Sequence, residues 1–314
     1  MFALAAPTLG AARAGNTGIE GVWSFAAAAP GPNVLVTALI HGNELCGAWA
    51  VLSALQAGLR PRCGTLTLAF CNLAAFDRFD AAHPYDSRFI DEDLNRVWGD
   101  GLAGRASTCE QRRALELLPF VDEADWLLDL HSMSQEGPAL TLTGLQARNV
   151  ALARQLGAPA HVIVDGGHSA GRRMRDHGRF GAADSPALAL LLECGQHGEM
   201  VSRDVALDGV ARFLTQSGCI APDGLPPSWL RPTPPGQCVF EVTDAITARS
   251  ADVRFATPWR TGQTIATSGT VLGWNDGVPF ETPYANCMLV MPSLRQVRAG
   301  MTVVRLAREA EVPT

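Results

Sequence analysis

A series of short, nearly unbroken apolar runs constrains this chain more than any other feature. They fall at residues 34–40 (VLVTALI), 65–71 (TLTLAFC), 126–131 (WLLDLH), 161–165 (HVIVD) and 187–193 (ALALLLE). Runs of this length, rich in branched and aromatic side chains, read as strands buried on both faces. Between them, residues 44–59, 109–120, 149–156 and 204–217 carry apolar side chains at helical spacing, and Pro61 sets the limit of the first. Buried strands alternating with helices predict an α/β fold: a mixed, mostly parallel sheet flanked by helices on both faces. Sheets of this kind place ligands beyond the carboxyl ends of their strands.

The 314 residues exceed what one small core needs. We expect an α/β catalytic domain over residues 1–222, a proline-rich linker over 223–237 (DGLPPSWLRPTPPGQ), and a small all-β domain over 238–314, with strands near 239–247 and 301–306. The net charge of −6, without a long basic run, argues against bulk nucleic-acid binding. No stretch of about 18 apolar residues offers a membrane span. Eight cysteines without a C-x-x-C pair argue against a disulfide framework or a cysteine metal site. The N-terminal residues lack the pattern of a signal peptide, so a cytoplasmic location is the expectation. The oligomeric state stays open, and a homo-oligomer is compatible with the sequence.

Reactive residues gather at the predicted strand ends. His41 and Glu44, in His41-Gly42-Asn43-Glu44, follow the first run, and His131 ends the third. Two histidines and a glutamate are the protein ligands of many hydrolytic zinc sites, where an open position holds a water acidified to a pKa of about 7. Alone, H-x-x-E occurs often by chance, and a histidine at a strand end is more often a structural group; it is the combination that carries weight. Glu193 follows six apolar residues, a costly place for a carboxylate without a task. Partial burial raises its proton affinity and suits a general base, whereas a Glu emerging into solvent is the bland alternative. The stretch RFIDEDLNR, residues 88–96, reads either as a recognition loop with arginines for a carboxylate or oxyanion, or as a charged surface turn. Asp129, two residues before His131, shares its face of the strand. It is placed to hydrogen-bond a metal-bound imidazole, such as that of His41, or merely to cap the strand end.

The order HGNE, RFIDEDLNR, DLHS and then a Glu before a small residue and Gly resembles the succinylglutamate desuccinylase/aspartoacylase family, relatives of the zinc carboxypeptidases. The resemblance covers roughly residues 30–220, and the all-β tail is similar to the family's appended domain. It implies one Zn2+ per chain on His41, Glu44 and His131, with Glu193 as general base. It further implies that Arg88 polarises the scissile carbonyl and holds the oxyanion, while Asn95 and Arg96 hold the substrate carboxylate. The implied activity is hydrolysis of the amide of a small N-acyl (acetyl or succinyl) amino acid or diamino acid. The alternatives are a zinc carboxypeptidase acting on peptides, or a non-catalytic zinc- or ligand-binding relative.

The chain also departs from that pattern. Ser132-Met133-Ser134 follows His131, where aspartoacylases have Asn-Thr-Thr, and Cys-Gly-Gln-His-Gly follows Glu193 in place of Val-Gly-Pro. These changes leave the acyl group and the amino acid open. Among Arg172, Arg173, Arg175 and Arg179, one is a candidate reader of a second substrate carboxylate, although a solvated basic loop is the favoured reading. Tyr284 is either a lid or, preferentially, a packing residue. His83, His161, His168 and His197 receive no role.

Overall fold

The computed structural model describes residues 2–104, 106–167 and 170–310; His168 lies outside the described residues. Its strands are β1 (Val22–Ala26), β2 (Asn33–Ala38), β3 (Thr65–Phe70), β4 (Trp126–Met133), β5 (Leu140–Leu142), β6 (His161–Val164), β7 (Leu188–Gln196), β8 (Cys238–Thr247), β9 (Val253–Phe255), β10 (Thr264–Ile265), β11 (Val271–Asn275), β12 (Val278–Glu281), β13 (Cys287–Val290) and β14 (Thr302–Glu309). The helices are α1 (Leu45–Gln56), α2 (Leu73–Phe76), α3 (Cys109–Glu123), α4 (Ala147–Leu156), α5 (Gly178–Gly181) and α6 (Met200–Gln216). None is long and apolar enough to cross a membrane.

The mixed α/β architecture matches the sequence expectation. Strands β3, β2, β4 and β7 run parallel at the centre of a sheet ordered β1-β3-β2-β4-β7-β5-β6-β8-β14-β13-β10. Two members were not foreseen. β1 is a short, half-exposed edge strand antiparallel to β3, and β5, antiparallel to β7, is too short to show a period. α1 stops at Gln56, short of the expected limit at residue 59, because Gly58 turns left-handed (φ 66°) and closes the helix before Pro61 can.

The sheet does not end where the first 222 residues do. β6 pairs in parallel with the start of β8, from His161↔Cys238 to Val164↔Glu241, and β8 continues antiparallel to β14. Residues 238–310 are all-β, with β12-β11-β9 as a separate three-stranded sheet. The proline-rich stretch before them is docked on the first core: Leu225 and Trp229 are buried in it, and Asp208 of α6 accepts from the Arg231 amide at 2.9 Å.

Period-two alternation decides what each face carries. Val34, Val36, Leu128, Leu130, Leu190 and Leu192 point into a core with α1, α4 and α6. Leu35, Leu127 and Ala189 point the other way, into a core with α3. By the same alternation Thr37, Asp129, His131 and Glu193 fall on that second face. The register sets Thr37 beside Asp129 and His131 beside Glu193 on neighbouring strands. The carboxyl ends of β2, β4 and β7 therefore deliver polar groups to one place.

Candidate metal centre and its cavity

The chain leaves β2 through Leu39 in the left-handed region (φ 57°) and turns at once into His41 and Gly42. Glycine is required there: a Cβ on Gly42 would lie 2.4 Å from the Ala75 carbonyl carbon, 2.5 Å from the Phe76 nitrogen and 2.5 Å from the Ser87 oxygen. This closeness lets the Gly42 amide donate to the Arg88 carbonyl at 3.1 Å, tying the turn to the loop that carries Arg88.

His41, Glu44 and His131 are all buried, and their donor atoms lie within 4.8 Å of one another. Both imidazoles face Glu44 through Nδ1: that of His41 lies 2.7 Å from Oε1, and that of His131 2.9 Å from Oε2. Burial opposes the charge on Glu44, yet the two imidazoles hold its carboxyl well below the usual range. Each outer nitrogen meets a second carboxylate. His41 Nε2 lies 2.9 Å from Asp93 Oδ1, and His131 Nε2 lies 2.9 Å from Asp129 Oδ2. Asp129 is itself held by the Thr37 hydroxyl at 2.7 Å. With a cation on the two Nδ1 atoms beside the Glu44 carboxylate, the proton of each ring would sit on Nε2, facing Asp93 and Asp129. That is the donor set of a hydrolytic zinc site, so the residues fit a metal ion.

The Asp129 contact corrects one expectation, because its partner is His131 and not His41. The i,i+2 spacing on one strand face brings Asp129 to its own neighbour, and His41 takes Asp93 instead, a residue to which the sequence reading gave no role. Asp93 also accepts from the Asn95 amide (2.8 Å) and from Arg88 Nη2 (3.2 Å). Burial works against its charge, but His41, Arg88 and Arg96 hold it well below the usual carboxylate range.

A cavity of about 290 Å³ opens on this centre. Arg88, Asn95, Arg96 and Glu193 all line it. Arg88 Nη1 lies 3.5 Å from Glu44 Oε1, and its Nη2 lies 2.8 Å from His41 Nε2. Asn95 accepts from the Met174 amide through Oδ1 at 3.0 Å, which leaves its amide nitrogen for the cavity. The Arg96 guanidinium is pushed down to about 10 by burial; Asp93 opposes this, and Arg88, Arg305 and Arg173 add to it. So many guanidinium groups in a small space favour an anionic guest. Glu193 is 8% exposed, and its Oε2 is buried with no hydrogen-bond partner among the described residues. Its carboxyl is pushed up to about 8 by burial, helped by Glu44 and Asp129 and opposed by His131 and Arg88.

Other sequence candidates sit elsewhere. The arginine stretch is not a solvated loop throughout. Arg173 and Arg175 are 1% exposed, and acidic and carbonyl partners account for it: Arg173 donates to Asp165 and Asp176, Arg175 to Asp176 and to the Thr143 and Ala189 carbonyls. Arg172 and Arg179 face outward on Asp100 and Asp125. Tyr284 packs in the C-terminal core with its hydroxyl 2.6 Å from that of Thr243, and does not line the cavity. His83 is exposed beside Asp80, and His161 stacks on Phe240. His197, given no role, lines the cavity with Arg173 and Arg305. Nothing local in the sequence signals this, because it depends on how β7, β14 and the loops meet.

Fold and site together define an α/β chain that presents a histidine–glutamate–histidine group able to hold a metal ion at the carboxyl ends of parallel strands. The chain belongs to the succinylglutamate desuccinylase/aspartoacylase family, whose catalytic-domain profile matches residues 30–215. No curated protein matches it significantly in sequence. Among solved structures it resembles the succinylglutamate desuccinylase of Vibrio cholerae (18% identity, TM-score 0.68, covering 92% of this chain and 86% of that one). It also resembles a succinylglutamate desuccinylase/aspartoacylase from Rhodobacter sphaeroides (21%, TM-score 0.65, 93% and 89%). The product-bound ectoine utilization protein EutE (DoeB) of Ruegeria pomeroyi is a third such structure (17%, TM-score 0.62, 91% and 87%). At these identities the likeness is one of fold.

Proposed function

We propose that the protein is a zinc-dependent amidohydrolase that removes an acetyl or succinyl group from an N-acyl amino acid or diamino acid. One observation carries the reading: a His-Glu-His donor set, a buried carboxylate with one oxygen unpartnered among the described residues and a group of arginines share a cavity sized for one small molecule. Membership of a family of desuccinylases and aspartoacylases supports the same class of substrate.

When held by His41, Glu44 and His131, zinc supplies Lewis acidity that acidifies water and polarises an acyl carbonyl. Asp93 and Asp129 fix the imidazole tautomers by accepting from the outer nitrogens. Arg96 and the Asn95 amide nitrogen hold the substrate carboxylate, and so set the amide bond at the metal centre. Arg88 donates to the oxygen that becomes negative as the carbonyl turns tetrahedral. Glu193 takes a proton from the attacking water and returns it to the leaving nitrogen. A carboxyl pushed up to about 8 binds and releases protons near neutral pH, as that task needs.

The test is hydrolysis of a panel of N-acetyl and N-succinyl amino acids and diamino acids by zinc-loaded protein, with a chelator control and free amine as the readout. Chelator-sensitive release from one or a few members is expected. Complete inactivity of a zinc-replete sample across the panel, with release of C-terminal residues from unblocked peptides, would replace this reading by a carboxypeptidase.

A further inference from the structure

The two places where the sequence departs from the aspartoacylase pattern, after His131 and after Glu193, meet in space. From His131↔Glu193 to Met133↔Gln196 the register slips, so that two steps along β4 match three along β7. The extra residue falls at Cys194-Gly195, where Gly195 takes a positive φ (114°) that is open to glycine. Bulges of this kind re-aim side chains beside a site, and the side chain delivered here is that of His197. Its backbone amide donates to the Met133 carbonyl at 2.9 Å, and its Nδ1 lies 2.7 Å from the Ser132 hydroxyl. His197 therefore grips two successive residues of β4 directly after His131. Ser132 and His197 are both buried, and burial pushes the ring's pKa down to about 3, so the contact joins two neutral groups.

What that grip fixes is one peptide plane. The peptide between His131 and Ser132 is held at both ends by the start of α1: its N–H donates to Glu44 Oε2 at 3.2 Å, and its C=O accepts from Cys46 Sγ at 3.4 Å. The ladder between β2 and β4 has ended by then, at Thr37↔Asp129, and the Glu44 carboxylate serves as acceptor for the Ser132 amide. Each Glu44 oxygen meets one imidazole Nδ1 and one further donor: Arg88 Nη1 lies 3.5 Å from Oε1, and the Ser132 N–H is on Oε2. An imidazole that gives its Nδ1 lone pair to a cation has no proton there for Glu44. Among the described residues, the Ser132 amide and Arg88 are then the contacts left to orient the carboxylate. Of the two, the amide is the closer, and Arg88 is shared with Asp93.

We propose that His197 is a positioning residue for the metal centre: through the Ser132 hydroxyl it fixes the His131–Ser132 peptide, whose N–H holds Glu44 in the orientation that ligates the ion. This deepens the amidohydrolase reading and rests on its metal centre, but on neither the acyl group nor the amino acid.

Zinc affinity, measured by competition with a chromophoric chelator, compares wild type with Ser132→Ala, His197→Phe, His197→Asn, the double variant Ser132→Ala/His197→Phe and Ser134→Ala; melting of the metal-free proteins reports folding. Ser132→Ala and His197→Phe should each weaken zinc about tenfold, the low end of what losing a hydrogen bond behind the ligands does. Because the two side chains make one contact, the double variant should lose no more than about the same factor. His197→Asn, whose amide can donate or accept near the place of Nδ1, should recover most of the affinity. Ser134→Ala makes the same change on a hydroxyl that meets Ser293 and not the metal centre, and should leave zinc binding as it is. A residue that served packing alone would lower the melting temperature without this pattern. Zinc affinity within about threefold of wild type in both single variants, or losses that multiply in the double variant, would overturn the proposal. If His197→Phe does not fold, Ser132→Ala, which removes one buried oxygen, decides alone by the same measure. Wild type that takes up no zinc would overturn the metal centre itself, and the proposal with it. If the pattern holds while no N-acyl amino acid is hydrolysed, the positioning role stands and the amidohydrolase reading falls.

Discussion

The loop that carries Arg88, Asp93, Asn95 and Arg96 has almost no secondary structure, yet Arg88 and Asp93 sit within hydrogen-bonding distance of His41, and Asn95 and Arg96 line the same cavity. Glu110, in the first turn of α3 and fully buried, supplies the missing rigidity. Its Oε1 accepts from the Ile90 amide at 2.6 Å and from Asn72 Nδ2 at 3.0 Å; its Oε2 accepts from the Asp91 and Glu92 amides at 3.0 and 3.3 Å. The loop returns the favour at the helix start, where Asp91 accepts from the Cys109 amide (2.7 Å) and Glu92 from the Thr108 hydroxyl (2.6 Å). Glu110→Gln keeps the volume but turns one acceptor into a donor, which then faces amide N–H groups whichever way the side chain lies. Two of four charge-assisted bonds are lost, at roughly 1.5–3 kcal/mol each, giving about 3–6 kcal/mol. Part of this is relieved by loosening of the loop, so the effect divides between global stability and local order. Hydrogen exchange at the Ile90, Asp91 and Glu92 amides should accelerate by at least about a hundredfold, while Leu128 and Leu130 in β4 change less. kcat/KM should drop by a similar factor in zinc-loaded protein. If exchange at those three amides and kcat/KM both stay within about threefold of wild type, Glu110 does not position the loop.

Three further outcomes follow from the same geometry. Asp93→Ala removes the acceptor of His41 Nε2 and should weaken zinc binding about 10- to 100-fold, measured by chelator competition; unchanged affinity would mean that the contact is incidental. Gly42→Ala drives a Cβ into three backbone atoms of other segments, so thermal melting should show at least about 1–3 kcal/mol of destabilisation together with reduced zinc content; full occupancy and an unshifted melt would contradict the packing. Glu193→Gln should retain zinc and lose about 10²- to 10⁴-fold in kcat. In metal-free protein the same variant reports on the raised pKa, which moves from an ordinary 4.5 up to about 8. A group shifted up in this way favours the folded state at pH below its unfolded value, and that contribution is lost as pH rises through the folded one. Glu193→Gln should therefore gain on wild type between pH 5 and pH 9, by up to ~4 kcal/mol; an equal gap at both pH values in denaturant melts would refute the burial argument.

How far the sequence alone reached depends on the range over which each feature is encoded. The parallel core was legible because an apolar run bounded by turns is a local pattern, and the donors His41, Glu44 and His131 were legible because they follow directly on such runs. Alternation along a strand also put Asp129 on the face of His131, yet the partner of His41 was beyond reach of that logic. Asp93 lies fifty-two positions away in a loop whose path is set by a carboxylate on α3. The arginines after residue 171 look like a basic surface until Asp165 and Asp176 are seen to bury two of them. The continuity of the sheet through β6 and β8 is likewise a pairing across more than seventy residues, with no short-range signature. His197 is the sharpest case: its neighbours in sequence say nothing of Ser132, sixty-five residues earlier, nor of Glu44, which the Ser132 amide holds. Strand ends carry the chemistry shared by the fold, and loops meeting across the cavity carry what separates one substrate from another. The parts of this site that were hardest to read from sequence are therefore the parts set by contacts between loops far apart in the chain.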